Sequence, residues 1–263
     1  MNDKNELKMD KFVLSTDVLI FSVSKGEAKT CRSLSDKFFS ILLVKRNKQP
    51  FKGAWCLPGG FVKENETIDF AADRILEKET NLCNIYKEQL YTFGEVNRDP
   101  RARVISTAYM ALIDKERINN KISEQASWFN IHLSEENNVV NVILENGEET
   151  IEFTIQKELI SETTKKYNYK TIKNANIGFD HDKIILTGIE RMKNKIKDTD
   201  IVFNMMPEYF TLGELQQIYE VILDKKLLDP AFRRIIADKV EKTDKMIKTG
   251  GHRPSALFKY KKQ

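Results

Sequence analysis

Between residues 60 and 82 the chain reads GFVKENETIDFAADRILEKETNL, directly after Leu57-Pro58-Gly59. A glycine (Gly60), a glutamate six positions on (Glu66) and an arginine (Arg74) lead into an acidic stretch with helical spacing. Carboxylates on such a helix would suit phosphate chemistry, because Mg2+ takes hard oxygen ligands and is commonly shared between protein carboxylates and substrate phosphates. Positions 75, 78 and 79 stand at i, i+3 and i+4 and so share one face. That face carries Ile75, Lys78 and Glu79: one aliphatic chain, one ammonium and one carboxylate. An ammonium 4 Å from a divalent ion would cost about 8 kcal/mol at an effective dielectric of 20, twice the figure for two unit charges. Ile75 can serve as neither ligand nor base. A helix face so composed holds a divalent metal poorly, and metal-assisted hydrolysis is expected to be absent or nearly so. No metal site is expected; if one persists, Glu66 and Glu79 are the ligands that remain.

The segment resembles the Nudix box, G-x5-E-x7-R-E-U-x-E-E-x-G-U, where U is a bulky aliphatic residue. Gly60, Glu66, Arg74, Leu76, Glu79 and Leu82 fall on pattern positions. Ile75 and Lys78 replace glutamates, and Asn81 replaces the last glycine. The resemblance implies an α/β fold, the Nudix α/β/α sandwich, with the box helix positioning the site. A degenerate box implies that no cofactor is required, Mg2+ mattering only to residual hydrolase activity.

The elements that must hold this motif are legible on either side of it. From 12 to 113 short apolar runs (VLSTDVLIFSV, FFSILLVKR, VISTAYMALI) read as buried strands around one helix at about 67–80. EQASWFNIHL at 124–133 reads as a closing strand. Residues 137–175 include two alternating runs about Glu145-Asn146-Gly147, a strong hairpin signal. This stretch is expected to be an insertion and has no assigned role. Asp180 is placed to cap a helix bearing Ile184, Ile185, Ile189, Met192 and Ile196 on one side.

A length of 263 residues suits one large or two modest domains. We expect a Nudix-like domain over 1–200, including the hairpin insertion at about 137–175, and a second domain over 201–263. No apolar run approaches the roughly 20 residues of a membrane span, and the polar start does not read as a signal peptide. Cys31, Cys56 and Cys83 lack metal or disulfide spacing, so a cytoplasmic location without membrane contact is expected. Net charge is +4, yet residues 1–200 balance 31 basic against 31 acidic side chains. The excess lies at the end, where residues 231–263 carry 10 basic against 3 acidic side chains. Such asymmetry points to a polyanionic partner.

In that terminal region Thr211 and Glu214 form a T-x-x-E capping box. It opens a helix with Leu212, Leu215, Ile218, Tyr219 and Ile222 on one side. Asp229 and Pro230 read as N-cap and first residue of a second helix, AFRRIIADKVEK. KMIK and SALFKY then flank a turn at 249–254, the order of a winged helix-turn-helix. Arg233 and Arg234, near the start of the second helix, are placed to read base edges. Lys239, Lys242, Lys245 and Lys248 suit phosphates, and His252 and Arg253 top the wing.

FTLGELQQIYEVIL, DPAFRRII and GHRPSALFKY are similar to the C-terminal domain of Nudix-related transcriptional regulators, and LYTFGEVNRDPRARVISTAYMALI at 90–113 to their sensor domain. The resemblance spans the chain outside about 137–175. It implies a homodimeric repressor of double-stranded operator DNA whose effector is ADP-ribose or a related nucleotide or sugar; the switch we expect is that effector binding reorients the winged helices of the dimer. An effector with two phosphates needs fixed cations. Arg98, Asp99, Arg101 and Arg103 cluster around Pro100, and Arg46, Gly60 and Arg74 complete the expected pocket. The alternative is an active Nudix hydrolase of ADP-ribose-like diphosphates, with Glu66, Glu77 and Glu79 recruiting Mg2+ in a shifted arrangement.

Overall fold

The computed structural model describes residues 11–26, 36–118, 122–248 and 254–261. In chain order the elements begin β1 (Val13–Lys25), β2 (Lys37–Lys45), β3 (Trp55–Cys56), β4 (Gly59–Phe61), α1 (Ile68–Thr80), β5 (Tyr86–Phe93) and β6 (Val104–Leu112). They continue with β7 (Ala126–Glu136), β8 (Val139–Glu145), β9 (Thr150–Ser161), β10 (Lys166–Asn174) and α2 (His181–Asp198). The last group is α3 (Leu212–Leu223), α4 (Asp229–Ile236), β11 (Val240–Ile247) and β12 (Ser255–Tyr260).

One sheet runs β10-β9-β8-β7-β2-β1-β6-β5, with β3 pairing β2 and β4 pairing β1. β1 and β6 are parallel, from Val13 opposite Val104 to Phe21 opposite Leu112. Successive side chains of a strand point to opposite faces, so a strand buried on both faces needs apolar residues throughout. β1 meets that demand from Val18 to Phe21, and its buried polar residues on either side, Asp17 and Ser22 among them, are hydrogen-bonded. Leu19 and Phe21 join Ile184, Ile185, Ile189 and Met192 of α2 in one cluster, while Val18 and Ile20 join Ala72, Ile75 and Leu76 of α1 in another. The expected α/β/α sandwich is present. Contact with α2 is close at Gly188, where an added Cβ would lie 2.4 Å from Leu19 Cδ2.

The stretch at 137–175 does more than form a hairpin. The Asn146-Gly147 turn joins β8 to β9 as expected, and β10 follows, so the sheet continues outward from β7. Ile151, Phe153 and Ile155 alternate into the α2-side core. Tyr169 and Lys157 both bond Glu190, and Thr171 Oγ1 donates to Asp182 at 2.7 Å. The added strands therefore brace α2.

At the C-terminal end the capping box forms. Glu214 N donates to Thr211 Oγ1 at 3.2 Å and Thr211 N to Glu214 Oε2 at 2.9 Å. Tyr219 of α3 meets Phe232 of α4 edge-on at 5.4 Å, fixing the two helices against each other. α3, α4 and the β11–β12 ribbon compose the winged helix.

Four sequence expectations need correction. α4 ends at Ile236, not near Lys242, because Val240 pairs with Tyr260 and packs into the core as the start of β11. The first wing arm is accordingly longer than KMIK. Asp229 is the first helical residue rather than the cap, and its carboxylate accepts Gln216 Nε2 at 3.1 Å. Asp180 precedes α2 but caps nothing with its side chain, which is held by Arg98 instead. The wing tip, with His252 and Arg253, lies outside the described residues, as does Cys31.

Candidate effector pocket and DNA-facing surface

The box folds as a strand, loop and helix. Thr67 caps α1, its hydroxyl accepting Phe70 N at 3.2 Å, and Asn81 closes it in the left-handed conformation. Gly59 is required by Asp17: a Cβ there would sit 2.3 Å from Asp17 Oδ1. Glu66 is bound by Arg74, whose Nε donates to Oε2 at 2.9 Å. This pairing holds the Glu66 carboxyl at about 2 and leaves Arg74 facing Glu66 and the Phe61 carbonyl. Ile75 lies under Gly60, its Cδ1 3.7 Å from where a Gly60 Cβ would be, and is buried against Val18, Ala72 and Tyr109. Lys78 pairs with its neighbour Glu79, and Glu79, itself buried, also accepts Ser123 Oγ.

These side chains do not fit a catalytic metal. Catalysts of this type use carboxylates facing the phosphates, and here the position under the glycines is aliphatic. Glu66 and Glu79, the ligands that could have remained, are both committed to intramolecular partners. Among the described residues no group of three or more His, Cys, Asp or Glu is arranged to hold a metal ion.

Beside the box is a cleft of about 140 Å³ lined by Arg46, Gly60, Phe61, Arg98, Arg101 and His181, among others. Its floor is a buried charge network. Arg98 donates from Nε to Asp180 Oδ2 at 2.9 Å, and from Nη2 to Asp180 Oδ1 at 2.7 Å and Asp17 Oδ2 at 3.2 Å. Ser106 Oγ donates to Asp17 at 2.6 Å. Burial pushes the Asp17 carboxyl up, but His181, Arg98 and Ser106 outweigh it and hold the group at about 2. His181 Nε2 lies 3.5 Å from Asp17 Oδ1, and Nδ1 accepts the Leu57 amide at 2.9 Å. Burial opposes charging this ring, but Asp17 outweighs burial and raises the ring's pKa, and the proton that faces Asp17 is the one on Nε2.

The rim carries the accessible cations. Arg46 stacks over Phe179 at 4.9 Å and donates to the Pro50 carbonyl at 2.8 Å. Arg101 stacks on Phe61 at 5.2 Å and Phe179 at 5.7 Å, and Asp99 orients it through Nε at 3.0 Å and Nη2 at 2.7 Å. Phe179 and Phe51, in contact at 4.8 Å, have φ of 58° and 60°. The left-handed region costs a bulky residue of order 1–3 kcal/mol, and such strain gathers at ligand sites. Two guanidiniums held by aromatic faces at a cleft mouth suit bidentate phosphate contacts.

Of the residues expected to hold an effector, Arg46, Gly60, Arg98, Asp99 and Arg101 converge on this cleft. Arg98 differs from its expected role in that two buried carboxylates already engage it, so it supports the floor. Arg74 faces Glu66. Arg103 turns outward, bonding the Glu95 carbonyl at 3.1 Å and stacking on Phe12 at 5.8 Å. Asp17, Phe179 and His181 were not expected here. An acid within VLSTDVLIFSV was the available signal for Asp17, because an ionised group in a buried strand needs a partner; the other two carried none.

On the winged helix, Arg233 and Arg234 are exposed on α4 and Lys248 is exposed just after β11. Lys239 requires correction. Its Nζ lies 2.7 Å from Asp200 Oδ1 and 3.4 Å from the Thr199 carbonyl, so it is engaged within the protein rather than free for a phosphate.

Residues 31–141 match the family described as NUDIX domain, and residues 202–260 the family described as NrtR DNA-binding winged helix domain. The ADPR responsive transcriptional repressor NtrR of Acinetobacter baylyi is 30% identical over 254 residues, covering 94% of this chain and 82% of the relative. An ADP-ribose pyrophosphatase of Methanocaldococcus jannaschii is 32% identical over 123 residues, 46% of this chain and 73% of that protein. Among solved structures, Shewanella oneidensis NrtR complexed with a 27mer DNA superposes with a TM-score of 0.67 at 26% identity, covering 94% of this chain and 93% of that one. A MutT/nudix family protein from Enterococcus faecalis gives 0.71 at 21% identity over 97% and 88%, a likeness of fold.

Proposed function

Because the chain belongs to the NrtR family of Nudix-related transcriptional repressors, we propose that it is a DNA-binding repressor whose Nudix domain senses ADP-ribose or a close nucleotide relative. The observation that carries this reading is the pairing of a closed box with an open cleft. Ile75 is buried where a metal-binding carboxylate would stand, while Arg46 and Arg101 remain at the mouth of the neighbouring pocket. A diphosphate can be bound there by guanidiniums without metal, and a sensor that spares its ligand preserves the signal. No hydrolytic step is assigned to the chain, and it requires no cofactor in this role.

We further propose that residues 1–200 form the sensor and 201–263 the DNA-binding domain, and that the protein works in the cytoplasm as a homodimer. Two α4 helices would then enter successive major grooves about one helical turn apart, with Arg233 and Arg234 at base edges and Lys248 and the wing residues His252 and Arg253 on the backbone. No helix among the described residues is long and apolar enough to cross a membrane.

The test has two stages. Genomic fragments selected on the purified protein should yield a palindromic site, and ADP-ribose titrated into that complex without Mg2+ should change its affinity. Binding that merely fades with salt and enriches no sequence would contradict the reading.

A further inference from the structure

We propose that α2 is the element through which pocket occupancy reaches the DNA-binding domain, and that the contact of Asp200 with Lys239 and Tyr260 is its output. This rests on the effector reading of the cleft above and supplies the regulation that reading leaves unassigned.

The N-terminal end of α2 is built into the pocket. His181 lines the cleft and receives the Leu57 amide, while Asp180, the residue before it, is gripped twice by Arg98. Asp182 takes the Thr171 hydroxyl from β10, and Lys183 pairs with Glu95 in the same loop as Arg98 and Arg101 at 2.8 Å. Four consecutive residues thus tie the helix start to the floor, the rim loop and the added strands. Any ligand that draws Arg98 toward it acts on this end through Asp180, and one that draws Arg101 acts on Phe179 just before it.

The body of the helix has little slack. Its 18 residues extend about 27 Å at 1.5 Å per residue. Ile184, Ile185, Ile189, Met192 and Ile196 are buried, and Gly188 lets the backbone close on Leu19. Densely packed interiors are stiff, so a displacement at one end is carried rather than absorbed.

The C-terminal end meets the winged helix directly. Lys239 Nζ reaches Asp200 Oδ1 at 2.7 Å and the Thr199 carbonyl at 3.4 Å, and Tyr260 Oη donates to Asp200 Oδ2 at 3.0 Å. Lys239 occupies the three-residue turn between α4 and β11, and Tyr260 ends β12. One carboxylate therefore holds the junction of the recognition helix with its wing. Moving it changes the angle at which both meet DNA.

The experiment compares full-length wild type with Asp200→Asn, Lys239→Met and the double variant, each checked for native circular dichroism. Asparagine keeps an acceptor for Tyr260 while removing the charge that holds Lys239. ADP-ribose affinity is read by calorimetry, and affinity for the selected operator fragment by fluorescence anisotropy with and without ADP-ribose. In wild type the two operator affinities should differ within the range of about 5- to 150-fold typical of allosteric coupling. In each single variant the ratio should fall below about threefold, ADP-ribose affinity of the free protein staying within about threefold, and the double variant should lose no more than either single one. A ratio unchanged from wild type in both single variants overturns the proposal while leaving the effector reading intact. If ADP-ribose fails to bind wild type at all, the effector reading falls and this proposal with it.

Discussion

Replacing Ile75 and Lys78 together by glutamate would restore the charge pattern of a working box, and the cost and gain can both be estimated. Ile75 is 3% exposed and packs in the α1-side core. Removing an aliphatic side chain of this size from burial forfeits about 1.5–3 kcal/mol. The incoming carboxylate adds a desolvation cost, so without metal the double variant should be about 3–5 kcal/mol less stable than wild type. Against this, the ammonium of Lys78 at 4 Å from a divalent ion is about 8 kcal/mol repulsive at an effective dielectric of 20, and a carboxylate there would be attractive by a similar gross amount. Removing Lys78 also frees the Glu79 carboxylate from one of its partners. Urea midpoints measured with and without about 10 mM Mg2+ should then separate the proteins: a site of about 1 mM affinity returns about 1.4 kcal/mol to I75E/K78E, and wild type should not respond. Wild type stabilised by Mg2+ as strongly as the variant, or turning over ADP-ribose near the ~1 s⁻¹ low end of typical enzymes, would refute the reasoning.

Three further outcomes follow from the packing and charge of the site. Asp17→Asn should cost about 3–5 kcal/mol at neutral pH, because it breaks a buried pair. The Asp17 carboxyl is depressed from 3.8 to about 2 in the fold, so its contribution is present above pH 3.8 and lost as pH falls through about 2. The gap between wild type and D17N should therefore shrink by about 2 kcal/mol between about pH 5 and pH 2, and a gap independent of pH in urea titrations would contradict the network. Gly188→Ala should lower the melting temperature despite a helix-propensity gain of about 1 kcal/mol, since its Cβ would meet Leu19 at 2.4 Å and overpacking costs about 1–3 kcal/mol. Arg233→Ala should relax preference at one operator position, whereas Lys248→Ala should weaken all sequences alike and reduce the salt slope by about 1; anisotropy across salt concentrations distinguishes them.

Much of the architecture could be read from local pattern, because strands buried on both faces demand unbroken apolar runs and helix starts demand caps. The box helix, the Asn146-Gly147 turn and the Thr211–Glu214 capping box follow from neighbouring residues alone. What escaped is set by distant partners. Asp180 has the residue type and position of a cap, yet Arg98, 82 positions earlier, takes its carboxylate. Lys239 looks like one of a basic run, and only the fold brings Asp200 to it. The arginine cluster at 98–103 was visible as a cluster, but its division into a buried floor residue, a rim residue and an outward one depends on the turn around Pro100. Phe179 gave no signal, since its left-handed backbone and its contacts with Arg46 and Arg101 arise from a loop closing on the pocket.

Sensing without hydrolysis is tested most directly by a single titration. ADP-ribose is added to the protein bound to its selected operator, in EDTA, with anisotropy followed and the nucleotide recovered for chromatography at the end. The expected result is a saturable change in operator affinity with the ADP-ribose recovered intact. No change in affinity at saturating ADP-ribose in EDTA, or, in a parallel titration with Mg2+ in place of EDTA, a change that appears only as AMP accumulates, would contradict it.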